Sequence, residues 1–240
     1  MDQIAVYYIN LDDRQDRREN IEDTLKTCGI EHFEKCSAVD TRRCSSKRLE
    51  DRFPSGTFVE GALCAIQRGY RQEHGELTSG SVGLYLSMYQ TLRKFLETGK
   101  PYCLIFEDDA MLADGMKASD FQNVIHDVIT KKQRFDLLLL SHLFQSSSSQ
   151  TSQRYVFADV KRFMMLSAYI VTKEGAQKII DAALPMHVQL DWCISDLAEK
   201  NGIQIKAILP ALFVQKPFFD PEGQWDSMQM DQPYQQHSSR

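Results

Sequence analysis

Apolar and polar positions alternate along the chain in two registers. Residues 4–9 (Ile-Ala-Val-Tyr-Tyr-Ile) form an unbroken β-prone run, the pattern of a strand buried on both faces. The run ends at Asn10-Leu11-Asp12-Asp13, and a charged helix follows in which Ile21, Leu25 and Cys28 share one face and Gly29 is the stop. Residues 31–39 predict a second strand closing on Asp40, whereas residues 41–61, with Arg, Lys, Ser and one Pro, predict an irregular surface segment. Thr78-Ser79-Gly80-Ser81 then opens a helix carrying Val82, Tyr85, Leu86, Tyr89, Leu92 and Leu96 at helical spacing, ended by Gly99-Lys100-Pro101.

Residues 102–106 make a short apolar strand that runs directly into Glu107-Asp108-Asp109. A helix over 121–129, a buried strand over 135–140 and a strand over 168–171 come next, the last followed by Thr172 as the cap of a helix through Ala176, Ile179, Ile180 and Ala183. A helix over 192–200, stopped by Gly202, and a strand over 203–209, stopped by Pro210, complete the pattern. Strands alternating with helices predict one α/β domain over residues 1–220 with a mostly parallel central sheet. The Ser/Gln-rich stretch 145–153 reads as a loop, and residues 221–240 as a polar tail.

Composition narrows the function classes. Charged residues make up 25% and the net charge is −5, which argues against holding nucleic acid by phosphate neutralisation. With a mean hydropathy of −0.38 and no apolar run approaching the roughly 20 residues of a membrane span, no such span is expected. The 6 cysteines form no C-x-x-C pair, no N-x-S/T sequon occurs, and no basic, apolar leader opens the chain, so a reducing, cytoplasmic setting is expected. No nucleophile-elbow, P-loop or dinucleotide glycine motif is present, and the 6 histidines show no metal-binding spacing.

In α/β sheets ligands bind beyond the carboxyl ends of the strands. Three such ends carry polar groups here: Asn10 to Asp13, Asp40-Thr41, and Glu107-Asp108-Asp109. If the strand stays extended, Glu107 and Asp109 project together and Asp108 oppositely. Two carboxylates leaving an apolar strand side by side repel unless a cation lies between them, and oxygen donors of that kind suit Mg²⁺ or Mn²⁺ shared with a substrate's phosphates. The competing reading is a turn cap with solvated neighbours. Arg14, Arg17 and Arg18 open the first helix against its dipole, either as a solvated face or because one reaches back to a phosphate. Asp191 is either the cap of the helix expected at Trp192 or a carboxylate placed to take a proton from a hydroxyl.

Taken in order, several segments resemble glycosyltransferase family 25, the lipooligosaccharide and collagen galactosyltransferases. Ile9-Asn10-Leu11 with Arg14 and Arg17-Arg18 resembles its opening "INL-x-x-R-x-x-R", and Ala38-Val39-Asp40 its "AVD". Ile105-Phe106-Glu107-Asp108-Asp109 is similar to its "LEDD" metal motif, and residues 168–172 with Gly175-Ala176 to "AYLIS-x-x-GA", with Asp191 where an Asp is expected. The stretch 210–215 resembles its closing strand. The segment from Gly80 departs: Ser81, Leu84 and Met88 stand where the family has Glu, Cys and His, while Gly80, Gly83 and Ser87 are kept.

The resemblance implies a GT-A fold and a metal-dependent transfer of galactose or glucose, with inversion, from a UDP-sugar to a glycan, glycolipid or protein hydroxyl. It assigns Mn²⁺ or Mg²⁺ to Glu107 and Asp109, the nucleotide-sugar to Asn10, Arg17, Asp40 and Asp108, and the base to Asp191. Two other readings stand beside it. One is a nucleotide-sugar-binding relative that no longer catalyses, motivated by the replaced Glu and His. The other is a metal-dependent nucleotidyltransferase, against which the glycine-free Asn10 to Asp13 turn speaks.

Overall fold

The protein is seen as a computed structural model in which residues 2–41, 56–68, 75–131, 133–143 and 154–218 are described. The stretch expected to loop at 145–153 and the tail from 221 lie outside the described residues, as does most of the segment expected to be irregular. The elements, in chain order, are β1 (Ile4–Asn10), α1 (Gln15–Thr27), β2 (Glu34–Ser37), α2 (Glu60–Arg68), α3 (Ser79–Glu97), β3 (Tyr102–Glu107), β4 (Ala110–Leu112) and α4 (Ala118–Thr130). They continue as β5 (Leu137–Leu139), β6 (Val156–Val160), β7 (Ala168–Thr172), α5 (Lys173–Ala183), α6 (Leu190–Glu199), β8 (Ile205–Leu209) and β9 (Phe213–Gln215).

Seven strands form one sheet in the order β2-β1-β3-β7-β5-β8-β6, and β4 pairs with β9 in a second, two-stranded one. The α/β reading holds, and the large sheet is mixed. β1 runs parallel to β2 and β3, and β5 to β8, while β7 lies antiparallel to β3 and β5, and β6 to β8. The reversal of β7 has no counterpart in the sequence pattern, because a strand buried on both faces reads the same in either direction.

Side-chain alternation divides the core into two layers. Ala5, Tyr7 and Ile9 of β1, with Cys103 and Ile105 of β3, pack under α2, α3, α5 and α6. Ile4, Val6 and Tyr8, with Leu104 and Phe106, pack against Ile21 and Leu25 of α1 and Phe121, Val124 and Val128 of α4. Burying each such side chain contributes about 1.5–3 kcal/mol, so the strands are held from both sides.

Local signals explain most helix ends. Thr78 caps α3 by accepting from the Ser81 amide (3.1 Å), and Ser81 Oγ accepts from the Thr78 amide (2.7 Å). Thr172 caps α5 through the Gly175 amide, as its position predicts. Gly29 ends α1 at φ 75°, a backbone state that glycine alone reaches without cost. α6 differs from expectation: it starts at Leu190, with Gln189 at the cap and no side-chain cap bond, so Asp191 sits inside the first turn rather than capping it. The sequence reading assigned no element to α2, β4 or β6: α2 begins inside the stretch expected to be irregular, β4 has three residues, and β6 is a half-buried edge. Among the described residues no helix is long and apolar enough to cross a membrane.

Candidate active site

The register of β1 on β3 pairs Ile9 with Glu107, so the next residues, Asn10 and Asp108, meet at the carboxyl edge of the sheet. Asn10 Nδ2 donates to Asp108 Oδ2 (2.8 Å) and to the Arg14 carbonyl (3.0 Å). The chain turns at Asp108-Asp109 into β4, so strict alternation ends at Glu107 and all three acids line one cleft, together with Asn10, Arg14, Arg17, Val39, Thr41 and Gly83.

A polar stripe on α1 pins that turn. Arg17 Nη1 lies 3.2 Å from Asp108 Oδ1 and 3.7 Å from Asp109 Oδ2. Asn20 Nδ2 donates to the carbonyls of Asp108 (3.0 Å) and Ala110 (3.3 Å), and the Thr24 hydroxyl to that of Ala110 (3.3 Å). The cation in a helix first turn, unexplained by helix stability, is answered by the acids it faces. Its other face stacks on Phe218, 4.7 Å from the ring centre. Arg14 instead pairs with Asp16 (2.7 Å) while lining the cleft.

Burial and mutual repulsion set the charges. Glu107 is pushed well above the usual carboxylate range, by burial first and then by Asp109, Asp108 and Asp191, with Arg17 pulling back. Asp109 is pushed up to about 7 by burial and by Asp108, again opposed by Arg17. Asp108 is raised by burial, offset by Arg17 and the Asn10 amide. Among the described residues Asp109 Oδ1 is buried and has no hydrogen-bond partner. Such carboxylates are costly to bury without a compensating charge.

An orphaned carboxylate oxygen beside a second raised carboxylate is a donor set that suits a hard divalent cation. Among the described residues no three His, Cys, Asp or Glu side chains converge into a preformed cage. Mg²⁺ and Mn²⁺ sites completed by substrate phosphates need no such cage, since one or two carboxylates suffice. Glu107 and Asp109 therefore fit the metal that the resemblance implies.

A second cavity, of about 200 Å³, adjoins the first, and Leu84, Glu107 and Gln215 line both. Asp191 stands on its wall. Its Oδ1 accepts from the Trp192 amide (2.9 Å) and its Oδ2 from the Met165 amide (3.3 Å). Met165 has φ 78°, a backbone state costing a non-glycine residue about 1–3 kcal/mol, so the approach of the 163–167 loop to Asp191 is held at an energetic cost. That loop arrives because β7 runs antiparallel to β3, and Glu107 N donates to Ser167 O (2.9 Å).

Of the residues singled out from sequence, Asn10, Arg17, Glu107, Asp108 and Asp109 come together in the first cleft, and Asp191 faces the second. Asp40 is exposed, between Val39 and Thr41, which line the first cleft. The sequence reading missed Asn20, Thr24, Met165 and Gln215. The spacing of Arg17, Asn20 and Thr24 marks a polar stripe on α1 that a helical projection would have exposed. Gln215 has no local signal: β9 pairs it with Ala110, and Lys216 N donates to Asp109 O (2.7 Å), placing it over the acidic turn.

Procollagen galactosyltransferase 1-A of Xenopus laevis is 27% identical over 184 residues, and procollagen galactosyltransferase 1 of Danio rerio is 27% identical over 188. Each alignment takes in 74% of this chain and 28% of the relative's length, so the chain spans about a quarter of these relatives. A crystal structure of a protein from STIV overlaps 90% of this chain and 86% of its own, at 12% identity and a TM-score of 0.47. The model of glycosyltransferase family 25 (LPS biosynthesis protein) matches residues 3–194, a span that includes every acid of the two cavities, and the chain therefore belongs to that family.

Proposed function

We propose that the protein transfers a hexose, galactose or glucose, from a UDP-sugar to an acceptor hydroxyl with inversion at the anomeric carbon. The supporting observation is the buried Glu107 where the two cavities meet, with Asp109 and its buried Oδ1 beside it in the first cleft and Asp191 on the wall of the second. The first cleft receives the nucleotide-sugar: Asn10 and the neighbourhood of Asp40 take the nucleoside, and Arg17, held by Asp108, keeps the acidic turn in place beside the diphosphate. A divalent cation on Glu107 and Asp109 would neutralise charge developing on the departing UDP.

In the second cavity Asp191 orients the acceptor hydroxyl and takes its proton as the oxygen bonds to the anomeric carbon and the bond to UDP breaks. Two backbone amides on its carboxylate fix its direction. A single displacement of this kind inverts the anomeric centre and needs one base.

The test is UDP release from UDP-galactose and UDP-glucose, with and without Mn²⁺, alongside the folded Glu107→Ala/Asp109→Ala double variant. Metal-dependent release that the double variant lacks is expected. Tight UDP binding with no UDP formed from either donor, with any acceptor offered, would favour the silent nucleotide-sugar binder instead. Absence of UDP binding altogether would sink the assignment of the cleft.

A further inference from the structure

Transfer by a single displacement fixes where the hexose must lie. Its anomeric carbon is bonded to UDP on one side and meets the incoming oxygen on the other. With the donor in the first cleft and the acceptor in the second, the sugar ring spans their junction. Among the described residues, Leu84, Glu107 and Gln215 line both cavities. Glu107 is the buried carboxylate that would hold the cation, which leaves Leu84 and Gln215 to meet the sugar itself.

The fold presents Gln215 firmly at that point. Phe213, two residues earlier in β9, is locked edge-on against Phe106 (ring centres 5.2 Å apart) and Phe121 (5.7 Å). Gln215 leaves the strand on the same face. Its backbone pairs with the fully buried Ala110, and the next amide, that of Lys216, donates to the Asp109 carbonyl (2.7 Å). A side chain on a strand pinned in this way is held more precisely than one on a loop.

The Gln215 carboxamide is half-buried and, among the described residues, makes no hydrogen bond. Its neighbours are committed: Asp108 to Asn10 and Arg17, and Asp191 to the amides of Trp192 and Met165. A carboxamide both donates and accepts, as a sugar hydroxyl does, and it brings no charge to compete with the acids. Leu84, half-buried on α3, offers the complementary apolar surface to the C–H groups of a pyranose ring.

We infer that Gln215 binds the transferred hexose through a ring hydroxyl and, with Leu84 against the C–H surface of the ring, decides which hexose the cleft accepts. This rests on the assignment of the first cleft to the UDP-sugar and the second to the acceptor. Epimeric hexoses carry the same hydroxyls in different directions. A carboxamide on a fixed strand therefore pairs with one epimer and leaves a hydroxyl of the other without its partner. UDP alone ends at its terminal phosphate, so the contact with Gln215 belongs to the sugar and not to the nucleotide.

The test is calorimetric titration of the full chain with UDP, UDP-galactose and UDP-glucose, with Mn²⁺ present, for the parent, Gln215→Ala and Gln215→Met. The parent should bind one UDP-hexose more tightly than the other. Both variants should bind that donor roughly three- to tenfold more weakly and narrow the difference between the two hexoses to within about twofold. Their affinity for UDP should stay within about twofold of the parent's. Gln215→Met keeps the length of the side chain, and melting curves check that both variants are folded. An equal loss of UDP affinity would place Gln215 on the cation or the diphosphate and overturn the inference. Equal binding of the two hexoses by the parent, or hexose affinities that neither variant changes, would also overturn it while leaving the donor assignment standing. Failure of that assignment shows separately, as absence of UDP binding to the parent.

Discussion

The two adjoining cavities differ in the sign and number of the charges on their walls. The first cleft concentrates charge: three acids, two arginines and a buried asparagine converge from β1, α1 and the turn after β3, and their side chains hold one another. The second has no arginine or lysine among the described residues that line it, and mixes Glu107, Asp191, Gln189 and Gln215 with methionine, leucine and tryptophan from α3, the 163–167 loop and α6. Preorganised charge is useful where charge develops during reaction, at the leaving diphosphate. Leu84, Glu107 and Gln215 belong to both, so on the proposed function the boundary between leaving and accepting chemistry passes through them.

The sharpest way to break this contrast is to remove the acids from the first cleft. Glu107→Ala/Asp109→Ala should lower UDP release by on the order of 10³-fold, with the fold retained by circular dichroism. Asp191→Asn, on the second wall, should lower kcat by about 10²–10⁴-fold while UDP binding, followed by calorimetry, stays within about twofold of the parent. An equal loss of UDP binding in both variants would erase the division of labour.

Arg17→Met tests the scaffold of the cleft. It leaves Asp108 and Asp109 without their facing cation, and should destabilise the metal-free protein by about 3 kcal/mol, read as a fall in the melting temperature. Added Mn²⁺ should restore more of that temperature in the variant than it adds to the parent. The smallest effect is expected from Gly83→Ala. Its Cβ would stand 2.6 Å from the Val39 carbonyl and 2.7 Å from Thr41 Oγ1, forcing α3 away from the end of β2. A loss of about 1–3 kcal/mol in stability and a raised KM for the donor should follow.

How far the sequence reaches differs between the cavities for a physical reason. Glu107-Asp108-Asp109 and Asn10 are legible because a buried strand must end where polar groups begin, and that transition is written in adjacent residues. The Arg17 to Asp108 contact is half-legible: a cation against the helix dipole signals a partner but does not say which. Met165 and Gln215 are not legible. One reaches Asp191 because a strand reverses, the other reaches the acidic turn through a pairing between β4 and β9 that spans about a hundred residues.

Periodicity and local caps determined by themselves that the chain alternates strands and helices, where α1, α3 and α5 stop or start, and which strand end bears the acids. Those are short-range matters of propensity, alternation and turn chemistry, settled within a few neighbours. Tertiary structure alone decided the mixed direction of the sheet, the place of Asp191 within α6, and which side chains meet around the second cavity. Each of these depends on contacts between segments far apart in sequence, and burial on both faces removes the periodic signal that would have announced them.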